Sequence, residues 1–119
     1  MAWDIKGITK EIEENRMEVS KIWPEVQAFA QFTNTLLAPG ALDIKTKELL
    51  CVAVAVYTRC KYCIVGHVRN ALKAGASEKE IMEAALVAVE FGGGPALTHC
   101  ITLVYESIKT LTSEVEKKN

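Results

Sequence analysis

The run "LLCVAVAVY", from Leu49 to Tyr57, constrains the fold more than any other stretch of this chain. Its nine residues carry no charge, yet a membrane-spanning helix takes roughly 18 or more apolar residues. Val52, Val54 and Val56 alternate with alanine, as in a strand. The helical reading is stronger. The run continues "KTKELL", exceeds the usual strand of about 5–6 residues, and places alanine at 53 and 55. A helix that is apolar on most sides must be buried on most sides. The rest of the chain has to cover it, and 119 residues suffice for one domain with a real core.

The flanking sequence divides into helices with clear punctuation. Ile5, Ile8 and Ile12 space an amphipathic helix from about Asp4 to Val19. Pro24 suits the first turn of a second helix, "PEVQAFAQFTNTLL", which Pro39-Gly40 ends. These N-terminal helices occupy residues 4–36. Asp43 can cap a helix from Ile44 to about Tyr57. Cys60 to Ala74 forms the next, and Gly75 stops it. Ser77 and Glu80 make a capping box for a helix from Glu78 to about Phe91. "GGGP", residues 92–95, breaks the chain and lacks the spacing and lysine of a phosphate loop. A last helix runs from near Pro95 to about Leu111, and the polar tail, 113–119, is expected to fray. The expectation is an all-α single domain, 1–119, of about six helices.

Charge narrows the partners. The net charge is −1, from 14 basic and 15 acidic residues with no long basic run, which argues against nucleic acid. The opening "MAWDIKGITKEIEENR" is mixed in charge, unlike a signal peptide. A cytoplasmic protein that does not enter the membrane is expected. The hydrophobic fraction of 50% is high for so small a domain and hints at a homo-oligomer.

Cysteine usage points to chemistry. Four cysteines in a chain expected in the cytosol favour catalytic or metal roles over a structural disulfide framework. "TRCKYCIVGH" puts Cys60, Cys63 and His67 three and four residues apart, on one stripe of a helix. Two thiols one turn apart can close a disulfide, and a helix N-terminus and an imidazolium both stabilise a thiolate. The set offers a reactive sulfur, a second sulfur to resolve the oxidised product, and a proton carrier. Glu48 lies twelve positions before Cys60 on the preceding helix. A short turn near Thr58-Arg59 would bring its carboxylate to His67, where it could orient the imidazole or relay a proton.

Other readings compete. Structural zinc could take Cys60, Cys63 and His67, with His99-Cys100 as a second pair, although neighbouring residues on a helix point apart. Cys51 and Cys100 read as small buried hydrophobes, Cys100 alternatively as a further resolving thiol. His99 is either a site-lining residue or a core histidine. Tyr62, between the cysteines, can shield or adjust them. Trp3 and Trp23 read as packing or interface residues.

The combined pattern, Glu48, Cys60, Cys63 and His67 within "PGALDIKTKELLCVAVAVYTRCKYCIVGHVRNALKAGASEKEIMEA", resembles the AhpD-like, carboxymuconolactone decarboxylase superfamily over about residues 39–104. The resemblance implies an all-helical domain assembling as a trimer or a hexamer of three dimers, with the site near a subunit contact. Members carrying the two cysteines resemble alkylhydroperoxidases; true 4-carboxymuconolactone decarboxylases generally lack them. In the peroxidase proper a histidine precedes the second cysteine, where this chain has Tyr62. The expected function is therefore a dithiol peroxidase or related thiol-disulfide oxidoreductase, with His67 and Glu48 moving protons. The helix dipole favours Cys60 as the attacking thiolate, whereas the resemblance and closeness to His67 favour Cys63, which is taken as the attacker with Cys60 resolving. Its partners would be a peroxide and a protein dithiol or small-thiol reductant, with no cofactor and no metal. The alternatives are a lyase on a carboxylated lactone, using His67 or His99, and a zinc-held helical interaction module.

Overall fold

A computed structural model describes residues 3–118. Helices α1 (Ile5–Ile22), α2 (Pro24–Leu37), α3 (Ile44–Thr58), α4 (Lys61–Lys73), α5 (Glu78–Val87) and α6 (Val89–His99) lead through a π-helical turn, Cys100–Val104, into α7 (Tyr105–Lys118). Among the described residues there is no strand. None of the helices is long and apolar enough to cross a membrane.

The starts of the helices follow the sequence closely. Asp4 accepts from the Gly7 amide at 3.0 Å and Asp43 from the Thr46 amide at 2.8 Å. Ser77 and Glu80 form the reciprocal capping box. Pro24 opens α2. At the other end of α2, Lys47 reaches back to the Leu36 and Ala38 carbonyls at 2.9 and 2.7 Å. That contact satisfies two acceptors which helix geometry leaves unpaired.

The apolar run becomes α3, which packs on α4, α5 and α6 but is not buried on most sides as its composition suggested, since Leu50, Val54 and Tyr57 stay exposed. Val52 and Val56 are fully buried against Ile64, Val65 and Val68 of α4 and Ile81 of α5, with Val104 and Leu111 closing the core. Burying each such side chain contributes about 1.5–3 kcal/mol. Two ion pairs bind the frame at its surface: Lys45 of α3 to Glu80 of α5 at 3.1 Å, and Arg69 of α4 to Glu13 of α1.

Two turns decide where the site lies. At the end of α3, Arg59 adopts the left-handed region (φ 59°), and the amides of Arg59 and Cys60 bond back to Val56 and Ala55. This Schellman arrangement reverses the chain within two residues and starts α4 antiparallel to α3. Gly75 (φ 94°) ends α4 the same way.

The C-terminal third departs from the sequence reading in detail. The break in "GGGP" falls on Gly93, at φ 61° and ψ −145°, a conformation reserved for glycine. Pro95 therefore opens the segment after the kink and interrupts nothing. The sequence shows no sign of the π turn at Cys100–Val104. The last helix continues to Lys118, beyond the end near Leu111, because Val115 and neighbouring residues of the supposed tail are partly buried. Asn119 lies outside the described residues.

Among the described residues, many large apolar side chains stay uncovered, and two groups of them stand out. Phe29, Phe32 and Leu36 stand out from α2. Val54, Tyr57, Val87 and Phe91 line an exposed groove between α3 and the α5–α6 segment, with a volume of about 290 Å³.

Candidate active site

Cys60 is the N-cap of α4. Its extended backbone follows from the left-handed Arg59, which aims the side chain over the first turn of the helix. Its sulfur accepts the Cys63 amide at 3.3 Å. The two cysteines are joined as a disulfide, with Cα atoms 5.2 Å apart. That separation is ordinary for a disulfide. The sulfur of Cys60 thus lies in the field of the helix N-terminus, where a thiolate is stabilised. Cys63 is exposed, whereas Cys60 is half-buried.

One turn beyond Cys63, His67 faces α3. Its Nδ1 donates to both Glu48 carboxylate oxygens, at 3.1 and 3.2 Å. Glu48 is only 3% exposed, a buried charge whose hydrogen-bond partner is this imidazole. The His67 side chain keeps 26% of its surface exposed. With Nδ1 engaged, Nε2 is the ring nitrogen left to exchange protons. All four residues of the sequence pattern are therefore positioned by one antiparallel helix pair, α3 and α4.

The two residues read as site-lining, Tyr62 and His99, are held by different contacts. Tyr62 is exposed and packs edge-on against Trp3, ring centres 5.6 Å apart, and the Lys61 ammonium stands 4.9 Å over the Trp3 ring. Trp3, Lys61 and His99 line a groove of about 510 Å³ between the start of α4 and the π turn. His99 Nδ1 donates to the Pro95 carbonyl at 2.8 Å. It is thus a groove residue and not a core histidine.

Two readings need correction. Cys51 is not simply a buried hydrophobe. It is half-buried, and its sulfur, a Glu48 oxygen and a His67 ring nitrogen all lie within 4.8 Å of one another. Burial, and then the Glu48 charge, push its thiol up from the ordinary value. The spacing Glu48 to Cys51 is one helical turn, the same cue that joined Cys60 to Cys63. The zinc set built on Cys60 and Cys63 is not assembled, because the two sulfurs are bonded to each other. Cys100, by contrast, is fully buried as expected, and burial raises its thiol.

Comparison with known proteins gives a consistent result. The family model for the carboxymuconolactone decarboxylase family matches residues 24–106. An uncharacterised protein of the Paracoccus denitrificans cox locus is 47% identical over 72 residues, 60% of this chain and 65% of that protein's length. An uncharacterised Cupriavidus necator protein is 30% identical over 80% of this chain and 85% of its own. Among solved structures, a family protein from Legionella pneumophila superposes with TM-score 0.84 at 33% identity, over 91% of this chain and 96% of that one. A Thermotoga maritima family protein, for which a role in the antioxidative response has been suggested, gives 0.80 at 29% identity over 94% of each chain.

Proposed function

The chain belongs to the carboxymuconolactone decarboxylase family, and from that premise we propose that it is a dithiol peroxidase of alkylhydroperoxidase type. The observation that carries the reading is the Cys60–Cys63 disulfide at the head of α4, one turn before a histidine held by a buried glutamate. The Thermotoga relative adds support from the family.

The exposed Cys63 thiolate attacks the peroxide O–O bond. It takes one oxygen as a sulfenic acid, and the departing alkoxide leaves as alcohol once it gains a proton. The Cys60 sulfur then displaces water from the Cys63 sulfenic acid and closes the disulfide. An external dithiol, or two small thiols, reduces it by exchange. The incoming thiolate meets the exposed Cys63 sulfur, and Cys60 departs as the thiolate that the helix N-terminus and the Cys63 amide stabilise. A low-pKa leaving thiol speeds this step. His67 carries protons to the leaving groups through Nε2, and Glu48 fixes its ring and balances the charge it acquires. Tyr62, exposed between the two cysteines in the sequence, borders the approach to Cys63. The uncovered apolar faces support self-assembly, as a trimer or a hexamer of three dimers in line with the resemblance.

The test is peroxide consumption with a dithiol reductant. Cys63→Ser is expected to abolish turnover, and Cys60→Ser to stop after one equivalent with a sulfenic acid trapped at Cys63. The reverse trapping pattern would overturn the assignment of the two sulfurs. The family's name supplies the rival, a lyase acting on a carboxylated lactone through His67 or His99. Full lactone turnover by the Cys60→Ala, Cys63→Ala double variant would favour that rival.

A further inference from the structure

Cys51 gives the Glu48–His67 pair a third donor that the redox cycle does not use. We propose that Glu48, Cys51 and His67 form a binding site for a thiophilic divalent cation of the zinc type. Glu48 and Cys51 project from one face of α3, one turn apart, and His67 meets them from α4. One oxygen, one sulfur and one ring nitrogen lie within 4.8 Å of each other. Donors around tetrahedral zinc stand about 3.5 Å apart, given bonds of about 2.0–2.3 Å. The three side chains therefore need to close by about 1 Å.

The donor set selects the ion. A thiolate and an imidazole suit zinc-like cations, while magnesium and calcium prefer all-oxygen sites. A carboxylate and a thiolate together neutralise a divalent charge, which matters where Glu48 is 3% exposed. Three protein ligands and a partly open imidazole leave a fourth position for water or an added ligand. Binding displaces the Cys51 thiol proton, so affinity rises with pH. On the peroxidase reading, a bound cation holds Glu48 and His67 away from proton transfer and slows turnover. The binding itself does not depend on that reading.

The experiment uses the full chain with the Cys60–Cys63 disulfide intact, so those sulfurs cannot ligate. Among the described residues, the remaining thiols are then Cys51 and the fully buried Cys100. Cobalt titration is expected to give a sulfur-to-metal charge-transfer band in the near ultraviolet at one equivalent, which zinc displaces. Cys51→Ser is expected to lose the band and to weaken zinc by at least about tenfold, the low end for losing even an outer-shell partner. Glu48→Gln weakens zinc but keeps the band. In the wild-type protein, zinc is expected to slow alkylation of Cys51, as mapped by mass spectrometry, whether or not the variants fold. Absence of the band and of protection, or equal zinc affinity in folded Cys51→Ser, would overturn the proposal. Zinc binding without any peroxide turnover would leave this site standing and remove the peroxidase reading alone.

Discussion

At the residue scale, His67 and Glu48 have unlike tasks in the proposed cycle although they form one pair. His67→Asn removes the proton carrier and is expected to lower peroxide turnover by about 10²–10⁴-fold, the usual range for a general acid-base group. Glu48→Gln retains a hydrogen-bonding partner for Nδ1 but not the charge. A smaller loss and a displaced pH profile are expected in steady-state assays; unchanged rates for both variants would remove the relay. These two residues, with Cys60 and Cys63, could be found in the sequence because helical spacing places them on facing stripes. Cys51 was hidden by its setting. Inside "LLCVAVAVY" a cysteine reads as one more apolar residue. Only the packing of α4 against α3 shows that its turn of the helix is the one facing His67.

At the element scale, Gly93 and Arg59, two of the positive-φ positions, carry opposite expectations. Gly93 occupies a glycine-only conformation, so Gly93→Ala is expected to destabilise the fold by about 1–3 kcal/mol in urea titrations. Arg59 holds a left-handed position with a side chain present. Arg59→Gly relieves that strain and is expected to stabilise by about 1 kcal/mol. The caps make the elements sensitive to acid. Bonds from Thr46 hold Asp43 below its usual 3.8. The Ser77 amide, and then Lys45, hold Glu80 below its usual 4.5. A carboxylate held low in the folded state stabilises the fold above its ordinary pKa, and that contribution is lost as pH falls through the folded value. Urea midpoints are therefore expected to fall below about pH 4, and to fall less in Asp43→Asn, which keeps the cap without the charge. Capping boxes and glycine stops are local chemistry and can be read from a few residues. The π turn is not, since its residues have no distinctive local pattern; three of them, Cys100, Leu103 and Val104, are buried in the core.

At the scale of the whole molecule, several large apolar side chains stay open to solvent. Phe91 is 79% exposed beside Val87, and Phe29 is 68% exposed on α2. Exposed patches of this kind mark interaction surfaces, and the self-assembly proposed above would cover them. Phe91→Glu is expected to shift the protein to a smaller species by light scattering while its helical circular dichroism is retained. A wild-type monomer at working concentration would contradict the assembly. The 50% hydrophobic composition hinted at this surface but could not locate it. Its place depends on which side of α3 the core consumes.

The dithiol chemistry can be read out in a single experiment. Fully reduced protein is treated with one equivalent of an alkyl hydroperoxide, its thiols are counted before and after, and its peptides are mapped by mass spectrometry. Two of the four thiols are expected to be lost, with Cys60 linked to Cys63 and with Cys51 and Cys100 still free. Four unreacted thiols, or a linkage that draws in Cys51 in place of Cys60, would contradict it.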